Sequence, residues 1–277
     1  MLDRKTTLVN SVINSKKLCQ IAALLVGIQC ALFSAGVQAE TGDKWEHSLA
    51  PLFLWGMSVD GTSEINGRAA DLDLNFEDDI LENMEAAITL HYEARKGKVV
   101  LFAEYQYVEL NPEISSEAGP FEVSADIDFT IQMLELGLGY AVWRDEDTLW
   151  EMLGGIRVTD HDLDVDIDAK IEIPLPNPIE REFSGNLDGG DDWMHPFLGL
   201  RLIQNFTDKW SLVLRGDAAL GGFDNKAWHI NALVDYRFNK WGSVFGGYRH
   251  MDYDYESSGY AYDASQRGPM LGLAFYW

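Results

Sequence analysis

Apolar and polar residues alternate along most of this chain, with a period of two rather than the 3.6 of an α-helix. In one clear run, Leu134, Leu136 and Leu138 share a face, and Glu135 and Gly137 occupy the positions between them. Successive side chains of a strand point to opposite faces, so each such strand has one bulky apolar face and one small or polar face. The pattern therefore predicts an all-β protein.

Ten segments carry this strand pattern. They lie near residues 45–58, 84–95, 98–110, 130–143, 148–160, 193–206, 209–222, 226–238, 241–254 and 262–277. Aromatic residues crowd their ends, as at Trp143 and Trp150. Short turns such as Lys96-Gly97 join alternate pairs, and the other connections are long and acidic. Short turns at one end, long loops at the other and aromatic girdles are typical of a transmembrane β-barrel. We therefore predict a single antiparallel barrel of ten strands.

Some loop segments also show strand character. Residues 163–173 alternate apolar with acidic or basic positions, and the proline-rich stretch 174–178 then turns the chain. We interpret this as a hairpin that extends two barrel strands outward, with 69–76 and 121–129 as further extensions. If such a pair entered the membrane, the barrel would have twelve strands, and that alternative stays open. The acidic segment 77–82 is a possible short helix.

The N-terminal 39 residues have the pattern of a secretory signal. A basic start is followed by the apolar run 21–28, and the segment closes on the small-x-small exit Val37-Gln38-Ala39. We expect cleavage after Ala39, which leaves 40–277 as one barrel domain. Both cysteines, Cys19 and Cys30, fall inside the signal, so the mature chain has no disulfide and no thiolate.

Charge narrows the choice of partners. Removing the four basic residues and one acidic residue of 1–39 leaves 17 basic and 44 acidic residues, a net charge of −27. So acidic a chain will not bind nucleic acid by neutralising phosphates. The composition also argues against a disordered chain, because 12% of the residues are aromatic and 47% are hydrophobic. After the signal, no apolar run is long enough for a membrane-spanning helix, so a closed barrel is the form that can cross lipid.

Charged residues of both signs fall on the polar face of the strands. The predicted lumen residues are Glu93, Arg95, Glu104, Glu135, Glu151, Arg157, Arg201, Arg215, Asp217, Asp235, Arg237 and Arg249. One interpretation is a salt-bridged core that fills a small barrel, because side chains can still fill a lumen of about this size. The other is a water-filled pore lined by opposing charges.

Catalytic and metal-binding motifs are weak. Asp160-His161-Asp162, and His250 with Asp252 and Asp254, place imidazoles beside carboxylates, but six histidines among many acids produce such neighbours by chance. We expect no enzyme activity and no cofactor. Three aspartates in a glycine-containing loop are weak metal candidates: Asp188, Asp191 and Asp192. Their spacing is not that of an EF-hand, and a solvated acidic loop is the preferred interpretation.

The two ends of the mature chain carry a resemblance. The opening has the pattern Trp45-x5-Pro51-x3-Trp55 with Gly61, and the closing stretch has Gly247-Tyr248-Arg249, Asp252-Tyr253, Asp263 and Gly268-Pro269-x2-Gly272. These motifs resemble a broad family of Gram-negative outer-membrane β-barrel proteins without an assigned activity. The resemblance spans most of the mature chain and implies export through the periplasm to the outer membrane. His250 departs from the family, which often has a hydrophobic residue there.

Two hypotheses about function follow. The first is a narrow, cation-preferring pore for small solutes, with small cationic solutes as its partners. The second is a closed barrel that acts through its acidic extracellular loops in adhesion or envelope integrity. Outer-membrane lipid and lipopolysaccharide are expected partners of either. The terminal strand, which ends on the aromatic Trp277, resembles the segment that barrel-assembly machinery recognises.

Overall fold

The computed structural model describes residues 44–118, 121–173, 179–221 and 225–277, which form fourteen strands and one short helix. The predicted signal, 1–39, and the turn 174–178 lie outside these residues. The strands are β1 (Glu46–Pro51), β2 (Leu54–Trp55), β3 (Ser58–Ile65), β4 (Arg68–Leu74), β5 (Met84–Lys96), β6 (Val99–Leu110), β7 (Glu113–Ala118), β8 (Phe121–Arg144), β9 (Thr148–Ile173), β10 (Ile179–Asn205), β11 (Trp210–Ala219), β12 (Asn225–Arg237), β13 (Gly242–Glu256) and β14 (Tyr260–Tyr276). The predicted helix is a π-helix, Phe76–Leu81, capped by the Asn75 side chain.

Ten of these strands close into a ring. Its order is β1-β5-β6-β8-β9-β10-β11-β12-β13-β14, and β14 pairs back with β1 through Ser48 opposite Tyr276 and Leu49 opposite Phe275. Neighbours in the ring are antiparallel. The prediction of a ten-stranded antiparallel barrel is therefore confirmed. Of the other strands, β2 and β3 pair with β14, β4 with β3, and β7 with β8.

The first predicted strand, 45–58, is interrupted where the sequence pattern gave no break. Pro51 has no N–H to donate to a ladder, and Leu52 adopts a positive φ of 56°. The Leu52 N–H instead donates to the carbonyl of Thr89 over 2.8 Å. Beyond the break, β3 pairs with the first half of β14 and turns into β4 at Asn66-Gly67, where both residues have positive φ.

The outer surface carries an apolar belt. Its outward-facing residues are exposed although they are large and hydrophobic, and they include Ile88, Leu90, Leu138, Tyr140, Val142, Trp150, Met152, Met194, Leu198, Leu200, Leu214, Ile230, Val234, Leu271 and Leu273. Such a surface is stable against lipid, and a closed ring leaves no unpaired edge within the hydrocarbon. Among the described residues, no helix is long and apolar enough to cross a membrane.

Three strands continue well beyond this belt. Crossing a bilayer takes about 9–11 residues of tilted strand, whereas β8, β9 and β10 contain 24, 26 and 27 residues. With β7 they form a sheet that projects from one end of the barrel, as predicted for 121–129 and 163–173. We call this sheet the extension and its end of the barrel the loop end. The opposite end, with the short turns and the start of β1, is the turn end.

Candidate functional site: a plugged lumen

The barrel wall turns the polar face of each strand inward, where the predicted lumen residues meet. Eight of them are buried: Glu104, Glu135, Glu151, Arg157, Arg201, Arg215, Asp217 and Arg249. Glu93, Arg95 and Asp235 are partly buried, and Arg237 is exposed near the turn end. The twelve residues come from eight strands of the ring, so closure of the barrel, and not proximity in sequence, brings them together.

A cluster of four charges lies at the centre of the lumen. Arg157 pairs with Glu135 over 2.6 Å and with Asp217 over 3.0 Å. Arg215 contacts the same two carboxylates, each over 2.7 Å. His229 adds a hydrogen bond between its Nδ1 and the Asp217 carboxylate over 2.9 Å. The two arginines and two carboxylates neutralise one another, which buried charges require.

A second set of ion pairs fills the lumen on the turn side. Arg201 bridges Glu93 and Glu151, and Arg95 also pairs with Glu151. Toward the other wall, Arg249 pairs with Glu104 over 2.6 Å. Each of these arginines thus has a carboxylate partner from another strand. The set is a cross-linked network and not a row of free charges.

Aromatic rings support the arginines of the central cluster. The Arg215 guanidinium lies 5.1 Å from the centre of the Phe102 ring and 5.4 Å from that of Phe197, and Arg157 lies 5.2 Å from Phe197. Such contacts favour cations held away from water. Phe102 fits because it packs over Gly137, where a Cβ atom would lie 2.2 Å from the ring.

An aromatic layer lies above the charges, toward the loop end. Trp193 stacks on Tyr255 with ring centres 4.3 Å apart. His161 lies edge-on to Trp193 and to Tyr262, at 4.8 and 4.7 Å, and its Nδ1 is 2.9 Å from the Tyr260 hydroxyl. All five side chains are buried, and burial lowers the pKa of His161 to about 3. This layer fills the lumen toward the loop end with buried aromatic rings.

The extension leans over this layer. The Asp191 carboxylate accepts hydrogen bonds from the Tyr255 hydroxyl over 2.9 Å and the Ser257 hydroxyl over 2.6 Å. Ile65 packs against Gly189, where a Cβ atom would lie 2.5 Å from its Cδ1. Contacts from β10 to β3 and to the β13–β14 hairpin therefore cover the mouth of the barrel.

The outer face of the extension is acidic. Register places Asp128, Asp164 and Asp188 side by side on three strands, and Asp126 beside Asp166 in the next row. Burial and the neighbouring Asp188 carboxylate raise the pKa of Asp164 to about 6. Like charges opposite one another destabilise a sheet, so this row is a feature that packing alone does not favour.

The turn end holds a blind cavity of about 540 Å³. Its mouth is formed by turn residues such as Asp147 and Lys209, and its depth reaches Arg215 and Arg249 of the ion-pair network. The aromatic layer does not line it. The cavity therefore lies on the turn side of the lumen and does not reach the aromatic layer.

The alternation of the strand separates the members of the first weak catalytic candidate, whereas His250 and Asp252 of the second share one face of β13. His161 points inward, whereas Asp162 on the same strand is exposed. His250 stacks on Trp228 with ring centres 4.6 Å apart, and its Nε2 lies 3.9 Å from the Asp252 carboxylate.

The metal candidates are divided in the same way. Asp191 bonds to the β13–β14 hairpin, while Asp188 belongs to the outer acidic rows. Asp192 lies beside Asp191 and is opposite Asp160 on β9. In the described ranges, no group of three or more histidine or acidic side chains is arranged to hold a metal ion.

Two histidines of the network were missed by the sequence analysis. His91 lies 2.9 Å from the Glu104 carboxylate and 3.3 Å from that of Glu93, and His229 contacts Asp217. Both occupy inward positions, in phase with Glu93 on β5 and with Asn231 on β12. That phase is the signal that identifies them, because every second residue of a barrel strand faces the lumen.

Comparison with known proteins supports the fold. No protein-family model and no curated protein matches the chain. Among solved structures it is similar to the outer membrane protease OmpT from Escherichia coli, with 10% identity over 87% of this chain and 99% of that chain and a TM-score of 0.57.

Two further structures align at lower scores. The attachment invasion locus protein Ail of Yersinia pestis has 10% identity over 84% of this chain and 99% of that chain, with a TM-score of 0.31. The toluene transporter TodX of Pseudomonas putida has 10% identity over 86% and 89%, with a TM-score of 0.31. At such identities the likeness to OmpT concerns the fold alone, and the two lower scores add nothing to it. Together with the closed ring and the apolar belt, that fold defines an outer-membrane β-barrel protein.

Proposed function

We propose that this protein is a closed outer-membrane barrel that acts through its extension, in adhesion or in envelope integrity. The observation that carries the proposal is the plug, in which cross-strand ion pairs lie beneath a buried aromatic layer. An open pore needs a continuous aqueous path. The plug argues against such a path.

The distribution of charge also argues against a cation-preferring lumen. Of the twelve predicted lumen residues, six are acidic and six are arginines. Their charges balance, so the lumen presents no net field to gather cations. The acidic excess lies instead on surfaces such as the outer face of the extension, where Asp126, Asp128, Asp164, Asp166 and Asp188 adjoin. That face suits a partner with positive charge.

The first test is planar-bilayer conductance of the refolded mature protein under a KCl gradient. We expect no stable conductance steps. Glu135→Gln tests whether this luminal carboxylate affects conductance or only stability. We expect it to lower stability without creating conductance. Glu64→Gln, at an exposed site, is the matched control. Stable cation-selective steps from the folded wild type would support the pore hypothesis and contradict ours.

The second test shortens the extension by removing the tip of its β9–β10 hairpin. Cells would carry either the full chain or a chain that lacks 165–186, with β9 and β10 rejoined by a tight turn. Both proteins should reach the outer membrane, because the excised residues lie beyond the apolar belt. We expect the shortened chain to lose adhesion to surfaces, or to leave the envelope more permeable to large antibiotics. Equal behaviour of the two strains would contradict the proposal.

Specific partners in the envelope are part of the same proposal. The outward side chains of β14, such as Leu271, Leu273 and Phe275, alternate with inward ones up to Tyr276. This regular last strand supports the proposed recognition by barrel-assembly machinery. Arg267, on the outer surface beside the belt, is half exposed and suits a lipopolysaccharide phosphate.

A further inference from the structure

The cavity at the turn end has two unlike walls. One wall is apolar and consists of buried side chains of β1, β13 and β14 with the adjoining Phe53, among them Ala50, Phe245, Met270 and Ala274. The rest of the lining includes charged side chains from β5, the neighbour of β1, and from β10 across the ring. A solute in the cavity would therefore meet an apolar surface on one side and hydrogen-bonding groups on the other, as in most small-molecule sites.

Unpartnered polar atoms line the same cavity. Asn231 is 8% exposed, and its Oδ1 has no hydrogen-bond partner among the described residues. Arg249 is 3% exposed, and its Nε is likewise without a partner in that part of the chain. Buried polar groups are usually satisfied by protein or by water, and leaving them unpaired is unfavourable. In a cavity open to solution, water or a polar ligand can satisfy both atoms.

The rim carries a cation that is free to bind an anion. The Arg237 guanidinium lies 4.1 Å from the centre of the Tyr276 ring, which holds it in place. Within the described residues it has no carboxylate at ion-pair distance, unlike the deeper Arg201 and Arg249. A planar guanidinium on an aromatic ring binds a carboxylate through two parallel hydrogen bonds.

We propose that this cavity binds a small amphipathic carboxylate that enters from the periplasm, of the kind presented by the free C-terminus of a short peptide with apolar side chains. Its carboxylate pairs with Arg237 at the rim. Its apolar groups pack on the wall formed by Phe245, Met270 and Ala274. Its amide groups reach the unpartnered Asn231 oxygen. This site is separate from the extension, so it does not depend on the function proposed there.

The test uses the mature protein in lipid nanodiscs and two matched probes, N-acetyl-leucyl-phenylalanine and its C-terminal amide. We expect the acid to bind the wild type about tenfold more tightly than the amide, because the amide loses a charge-assisted hydrogen bond. Arg237→Gln should weaken binding of the acid by a similar factor and leave binding of the amide unchanged. The ratio of the two affinities then falls to about one.

Two variants test the place of binding. Ala274→Trp and Ala50→Trp each put a large side chain into the cavity, and either one, if folded by its gel mobility, should abolish binding of both probes. Arg68→Gln, at an exposed arginine of β4, is the matched control and should bind as the wild type does. Equal affinity of acid and amide for the wild type, undiminished binding to a folded cavity-filled variant, or no binding of either probe at millimolar concentration would overturn the proposal.

Discussion

At the scale of single residues, the central charge cluster is the most sensitive feature. Arg157 is fully buried and contacts both Glu135 and Asp217. Arg157→Met removes one positive charge and leaves a net negative charge inside the barrel. We expect a loss of about 3–5 kcal/mol in the free energy of unfolding, as for other buried ion pairs that lose one partner. Urea titration in lipid vesicles, followed by tryptophan fluorescence, measures it.

The same cluster provides its own control. Adding Glu135→Gln to Arg157→Met leaves Arg215 paired with Asp217 and restores neutrality. The double variant should therefore lose less stability than the sum of the two single variants. Arg68→Met, at an exposed site, should change stability little. Additive losses would mean that the four charges do not act as one unit.

His161 makes the aromatic layer sensitive to acid. Its pKa falls from an ordinary 6.5 to about 3 because burial disfavours the imidazolium. The unfolded chain therefore binds a proton below pH 6.5 that the folded chain does not. Stability is fully present above that pH and is lost as the pH falls toward 3. At pH 5 the loss amounts to about 2 kcal/mol.

The corresponding variant is His161→Phe, which keeps a ring beside Trp193 and Tyr262. Its urea midpoint should fall less between pH 7.5 and pH 5 than that of the wild type. Since every other titrating group is common to both chains, the difference between the two pH profiles isolates His161. Parallel profiles would show that this imidazole is not held neutral in the folded barrel.

At the scale of strands, the central part of β8 is fitted to its neighbour β6. Gly137 faces Phe102, and a Cβ atom there would lie 2.2 Å from the ring. Gly137→Ala must displace Phe102, which also supports Arg215. We expect a loss of about 1–3 kcal/mol. Gly185→Ala is the matched control, since its Cβ meets nothing within 4 Å. Equal urea midpoints for the two variants would contradict this account.

The strands themselves were predictable from sequence, whereas their contacts were not. Alternation reports which residues of a strand face the lumen, so the ten spans and the inward phase of Glu135 or Arg157 follow from the pattern. It does not report the tilt and stagger of the strands, which decide that Arg157 meets Asp217, 60 residues away. It also did not reveal the break after Pro51, because that break depends on the conformation of Leu52.

At the scale of the whole molecule, the barrel and the extension differ in how their strand edges are paired. Within the belt the ring has no free edge, and lipid surrounds it. In the extension, β10 pairs with β11 only from Phe197 onward, and no described strand pairs with β7 on the side away from β8. Edges of this kind expose unpaired backbone groups to water. The extension thus exposes sheet edges that are accessible to a partner.

Hydrogen exchange should follow the same division. In nanodiscs, we expect amides of β8, β9 and β10 within the belt to be strongly protected, because opening there breaks a closed ring in a low-dielectric layer. Protection should fall from Asp162 toward the tip of the hairpin, where water reaches the sheet and its edges. Mass spectrometry of peptides that cover 150–158 and 162–170 compares the two zones on one strand. Equally strong protection at the tip and in the belt would mean that the edges of the extension are already covered, as in an assembly of several copies. The role proposed for the extension would then belong to that assembly.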